Sequence, residues 1–279
     1  MSDVSDVFVR QYVADVKLLY QQEGSRLRET VMVKTGVTGE STTFPRVGKG
    51  MATTKGRHGV VTPMNVDYTP ITCTLTDHYA PDYVDRLDEH KITHNEREAL
   101  LRTGASAIGR KVDDIVFTSM ETTSTTFTLG AALTRAALLQ VDEVLTDNDV
   151  PDDNRRFAAL TPRAWSQAMT IEEFASGDFA GMDNLPFARN TPGVRYWNGI
   201  FWMRHTGLPG KGTATASCFA WHMDAVGLAE GLSQTAEIHY VPERVAHLVN
   251  NMISVGSCLR DDTGVVKFVH DDTAVISTS

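Results

Sequence analysis

The chain has 279 residues, 42% of them hydrophobic, which is enough for a sizeable core in one or two domains and excludes a disordered protein. Lys and Arg number 26 against 35 Asp and Glu, a formal charge of -9, which excludes a protein that coats nucleic acid with its whole surface. Three dispersed cysteines, Cys73, Cys218 and Cys258, imply no disulfide framework or zinc knuckle, and no apolar run or signal-type amino terminus marks a membrane or secreted protein, so the cytosol is the expected compartment.

In chain order, Val9, Val13, Val16 and Tyr20 share one face of an amphipathic helix expected over Val4 to Gln22. Gly24, Gly36 and Gly39 mark the following stretch as a linker, through which that helix either packs on its own domain or reaches a neighbour. A long hairpin follows, with strands expected at 41–47 and from Met64 to His78. Its tip, residues 49–59, carries Lys49, Lys55, Arg57 and His58, three glycines and no acid. Such a loop has little to bury and calls for a partner surface, the bland alternative being an unstructured loop. Tyr79 to His90 leads into the next element. His90 and His94 lack a third ligand, so no metal is assigned.

The longest element is a helix expected over Thr93 to Ser119, opened by a capping box of Thr93 and Glu96. Leu101, Ala105, Ile108, Val112 and Ile115 form its apolar stripe, while Arg97, Arg102, Arg110, Lys111, Asp113 and Asp114 are expected off it, in water or against partners. At 1.5 Å per residue it is roughly 40 Å long. Gly104 and Gly109 cost about 1 kcal/mol each in a helix interior, and close backbone approach is one reason to keep them.

Beyond the β-branched tract at 121–128, a second helix is expected from about Leu129 to Asn148, with Leu133, Ala137, Leu138, Val141 and Leu145 inward. Arg155 to Leu160 reads as a strand, and Thr161-Pro162 opens a third helix over Arg163 to Thr170. VRYWNGIFWMRH at 194–205 alternates around Asn198-Gly199, a strong hairpin signal. Ala214 to Trp221, Val241 to Asn251 and Val265 to His270 are further strand-type runs. GLPGKGT at 207–213 has the look of a phosphate loop, but His205 and Gly212 occupy positions that need Gly and Ser or Thr, and a strand follows, so it reads as a turn. No HExxH, GxSxG or GxGxxG motif is present; no catalytic, cofactor-binding or metal residue is assigned and no cofactor is expected.

An amino-terminal arm, a basic-tipped hairpin, a long spine helix, an inserted α/β unit and a final return together resemble the major capsid protein of tailed bacteriophages, whose shell fold is shared with encapsulins and herpesvirus capsid floors. DNDVPDDNRRFAALTPRAW at 147–165 is similar to that family's helix end, strand and Pro-initiated helix, GIFWMRHTGLP at 199–209 to its strand before a Leu-Pro turn, and CFAWHMDAVGLAE at 218–230 to its later strand and helix. The resemblance implies an α+β fold with an arm at 1–40, an extended hairpin at 41–78, a peripheral domain at 79–128, an axial domain at 129–234 and a return at 235–279. It also implies a non-enzymatic virion protein that assembles with copies of itself as hexamers and pentamers in the host bacterial cytoplasm, encloses DNA without sequence-specific binding, and meets scaffolding, portal and cementing proteins. The hairpin would lie on an adjacent subunit, and the helix at Val4 to Gln22 is expected to be retained in the particle. One branch of the family joins a hairpin Lys to an Asn of the next subunit with help from a Glu. Here Lys49 or Lys55 and Asn251 are similar to the reacting pair, but Cys258 stands where the Glu belongs, so no crosslink is expected. An encapsulin-type compartment and a soluble α/β enzyme are the alternatives.

Overall fold

The computed structural model describes residues 24–85, 96–175 and 193–276. The expected helix at Val4 to Gln22, Thr93, His90 and His94 lie outside the described residues.

Two sheets organise the molecule. In the first, strand β12 (Ala246–Leu259) is the hub. β4 (Thr76–Asp85) runs antiparallel along one edge from Ala246↔Asp85 to Val255↔Thr76. Along the other edge lie β11 (Thr235–Val241), paired with residues 246–252, and then β10 (Val226–Glu230), paired with residues 255–259. β1 (Met32–Lys34) adds in parallel to β10. Helix α1 (Glu96–Met120) packs across β12 and β4. Because successive strand side chains alternate in direction, Val249, Asn251, Ile253 and Val255 share the buried side of β12, and the added Cβ of an alanine at Gly104 would overlap the Asn251 amide. One at Gly109 would overlap the Gly24 backbone. Close approach is therefore the reason for both interior glycines.

The second sheet has the order β5 (Thr126–Thr128), β13 (Val265–His270), β9 (Ala216–His222), β6 (Arg156–Leu160), β8 (Ile200–Arg204) and β7 (Val194–Trp197). Every residue of β9 is buried, as expected of a central strand covered on both faces. Helices α2 (Arg135–Asp147) and α3 (Pro162–Ala168) cover this sheet and close a core that includes Trp202, Phe219 and Trp221. The β7–β8 turn has Asn198 and Gly199 at φ 52 and 75, the two left-handed residues that an Asn-Gly hairpin turn requires. Thr161 Oγ1 accepts the Ala164 N–H at 3.1 Å and starts α3 with Pro162 in its first turn.

Several expected boundaries move. The second helix begins at Arg135 instead of Leu129, because the Leu129 N–H bonds to the Val269 carbonyl and prolongs β5, while Thr134 provides the N-cap. The single strand expected from Met64 to His78 is two strands, β3 (Tyr68–Thr74) and β4, and Tyr79 to Asp85 is strand instead of a lead-in. At Leu75 the chain leaves its pairing with β2 (Ser41–Val47) and joins β12. The resemblance implied a helix after β9; a short 3-10 turn at Met223–Ala225 and β10 stand there instead. The sheets also interleave along the chain: β5, within 79–128, belongs to the six-stranded sheet, and β10, within 129–234, belongs to the five-stranded one.

Candidate assembly interface

The hairpin of β2 and β3 has two physically different ends. At its base, Phe44 is 3% exposed and packs with Cys73, Ala229 and Cys258, so strands of the hairpin and of the five-stranded sheet share a small core. The Arg260 guanidinium lies 5.5 Å from the Phe44 ring centre, and Arg46 pairs with Asp261 at 3.1 Å. Gly256 lets the Thr74 carbonyl pass where a side chain would block it. Burial of a Phe side chain contributes about 1.5–3 kcal/mol, which fixes the base to the body.

The tip is held by much less. Residues 48–65 are exposed throughout, with Met51 and Val60 at 86% and 92%. Lys49 Nζ pairs with Asp149 at 2.7 Å and bonds to the Asn148 carbonyl at 3.1 Å, so the end of α2 in the same chain supplies its counter-charge. Both side chains of that pair are over 70% exposed, a setting in which ion pairs contribute about 1 kcal/mol or less. Lys55 and Arg57 form no ion pair among the described residues, and His58 sits exposed at φ 69. The structure thus brings one of the four predicted tip residues to an acid and leaves the others in solvent.

On α1, Ile108 and Val112 are buried, and Leu101 and Ile115 are half-buried. The buried face continues through Val116, Phe117 and Met120. Asp113 departs from expectation: it is 1% exposed, not wet. It accepts hydrogen bonds from Ser25 Oγ at 2.6 Å and from the backbone N–H groups of Arg26 and Leu27 at 3.1 and 3.2 Å, and it pairs with His205 Nε2 at 2.9 Å. Burial pushes its carboxyl up, but the bonds from His205, Ser25 and Leu27 outweigh this and hold it below the ordinary carboxylate value. The glycine-marked stretch is likewise not a free linker. Leu27 and Val31 are fully buried, Arg28 makes a bidentate pair with buried Glu230 at 2.6 and 2.8 Å, and Trp221 Nε1 donates to the Thr30 carbonyl at 3.0 Å. The spacing Gly109, Asp113, Phe117 was the available signal for this docking, since it puts the acid in line with a close-approach glycine and a buried ring.

Chemistry elsewhere is sealed. Cys218 Sγ lies 3.7 Å from His270 Nδ1, and His270 Nε2 lies 3.0 Å from Asp272 Oδ1, an order reminiscent of a nucleophile, base and orienting acid. All three are buried, and burial pushes the Cys218 thiol far up, so it stays protonated with no path for a substrate. Asn251 is 1% exposed against α1, and Cys258 lies beside Cys73. No group of metal-ligating residues forms among the described residues, and no described helix is long and apolar enough to cross a membrane.

A family model described as phage capsid protein matches residues 4–272. The chain belongs to the phage capsid protein family. No curated protein matches it in sequence. Among solved structures it is similar to the capsid of the cyanophage P-SCSP1u, with a TM-score of 0.72 at 15% identity over 98% of this chain and 95% of that one. A chain of Mycobacterium phage Che8 matches with a TM-score of 0.69 at 17% identity over 96% and 98%, and the capsid of the native GTA particle with 0.70 at 12% over 97% of each. These likenesses share the fold, α+β throughout. As a phage capsid protein the chain is a structural, non-enzymatic shell component of the virion that assembles with copies of itself. The match favours this over an encapsulin-type compartment and over a soluble α/β enzyme.

Proposed function

We propose that copies of this capsid protein close an icosahedral shell of hexamers and pentamers around packaged double-stranded DNA, each subunit resting its hairpin tip on a neighbour. The observation that carries the reading is the contrast within one hairpin, a base buried against β10 and β12 and a tip exposed over residues 48–65. A basic tip on a chain of net charge -9 finds opposite charge on any other copy, and contacts that are weak singly accumulate around closed rings. In this arrangement Lys49, Lys55, Arg57 and His58 face the adjacent subunit, and Leu101, Ile108, Val112 and Ile115 seat the spine helix. The five-stranded sheet with α1 forms the peripheral domain and the six-stranded sheet the axial domain. An acidic wall neutralises few phosphates, which leaves DNA free to slide and requires no sequence-specific binding. Assembly in the host cytoplasm, with scaffolding, portal and cementing proteins as further partners, completes the reading.

Deletion of Met51 to Arg57 tests it. The variant subunit should keep its circular dichroism and the fluorescence of its buried tryptophans yet yield no closed particles in micrographs. Normal shells from the deletion would refute the tip's role.

A further inference from the structure

We propose that Cys73 and Cys258 form an intrachain disulfide that locks the base of the hairpin to the five-stranded sheet once the particle meets an oxidising medium. Cys73 lies on β3 two residues before Leu75, where the chain changes sheets, and Cys258 lies on β12 opposite Gly227. They belong to one buried cluster with Phe44 and Ala229, in which the two thiols are neighbours. The backbones are drawn together by Gly256, whose missing side chain admits the Thr74 carbonyl and brings Leu75 alongside. Cys218, buried in the other sheet beside His270, has no thiol partner among the described residues.

The pair suits the exchange chemically. Each thiol can donate to the other's sulfur, which favours one thiolate within the pair against the cost of its burial. Two S–H bonds break and one S–S bond forms; dioxygen accepts the two electrons and two protons and leaves as hydrogen peroxide. In a reducing host cytoplasm both thiols persist, and the base is held by packing alone. After release the same residues would tie β3 to β12 covalently.

The test uses assembled shells purified under reductant, then exposed to air-saturated buffer with copper-phenanthroline to speed electron transfer to dioxygen, and finally denatured in excess maleimide. Wild-type chains should take one label, on Cys218, and give a proteolytic fragment that joins Cys73 to Cys258. Reduced chains should take three. Cys73→Ser and Cys258→Ser chains should each take two and give no joined fragment. Amide exchange in β2 and β3 of wild-type shells should slow by about tenfold or more on oxidation, because local opening of the base is restricted. Three labels on oxidised wild-type chains, a bond that involves Cys218, or a bond between subunits would overturn the proposal, and unchanged exchange would overturn the locking role. The wild-type fragment map decides the pairing even where a serine variant fails to assemble.

Discussion

The two interior glycines of α1 make a quantitative test of how the spine helix is held. In an open helix either Gly→Ala change stabilises by about 1 kcal/mol. Here an added Cβ at residue 104 would meet the amide of Asn251, with Cγ at 2.8 Å, whereas one at residue 109 would meet backbone, with the Gly24 carbonyl oxygen at 2.6 Å. The Asn251 Nδ2 has no hydrogen-bond partner among the described residues, so moving that side chain breaks no bond there. Overpacking of about 1–3 kcal/mol against the propensity gain leaves Gly104→Ala between neutral and about 2 kcal/mol destabilising. Gly109→Ala has no side chain to displace. It pushes against the segment in which Ser25, Arg26 and Leu27 bond to Asp113, so undocking puts Leu27 into water at about 1.5–3 kcal/mol in addition to lost hydrogen bonds. The expected loss is about 3 kcal/mol or more. Urea unfolding of purified capsomers, followed through the fluorescence of buried Trp202 and Trp221, measures both. A Gly104→Ala, Asn251→Ala cycle should show about 1 kcal/mol of mutual relief. Stabilisation by Gly109→Ala, or an additive cycle at 104 and 251, would show that these contacts do not hold the helix.

Two other outcomes follow from the geometry. Purified particles boiled in detergent and reductant should run as a single band at the mass of one chain, because Asn251 is buried against α1, away from the solvent in which the tip lysines stand; a ladder that vanishes in Lys49→Ala or Lys55→Ala would contradict this. Asp113→Ala should destabilise the subunit by about 3 kcal/mol, since it leaves buried donors without their acceptor. The Asp113 carboxyl sits below its ordinary value of 3.8 when folded, so its stabilisation is complete above that pH and is lost as pH falls through the lower folded value. Acid unfolding by fluorescence should therefore be flatter below pH 3.8 in Asp113→Asn than in wild type, and parallel curves would remove Asp113 from the account.

What was legible in the sequence is what local chemistry decides. The Asn198-Gly199 turn, the Thr161-Pro162 helix start and the strand at 41–47 each carry their signal within a few residues, and each stands where that signal put it. The misplaced features depend on partners distant in the chain. Leu75 changes sheets because Gly256 makes room for Thr74, and nothing within 64–78 announces it. Leu129 is claimed by Val269, so helix-type spacing there yields to a strand bond. β11 alternates weakly and is mostly exposed, so its place beside β12 comes from backbone pairing more than from an apolar pattern. Asp113 was read by its charge, and only the arrival of Ser25 to Leu27 and His205 makes burial tolerable.

The same division between strong and weak contacts governs what an isolated subunit can tell about the proposed shell. The Lys49–Asp149 pair is so exposed that exchanging Asp149 for an acid on another copy costs almost nothing, and the two arrangements are close to isoenergetic for the chain. The base cannot exchange so easily, because Phe44 and Cys73 would both leave a closed cluster. Motion is therefore concentrated between residues 48 and 67, where the two hairpin strands end and the Gly48 N–H still bonds to the Asp67 carbonyl. A tip that swings on a fixed base can follow small differences in the angle between neighbouring subunits without strain in either sheet. Rings of five and of six differ by such an angle, so one sequence can occupy both only if the adjustable part carries little of the fold's own stability. In the proposed shell this hairpin meets that condition because its tip buries almost nothing in its own chain.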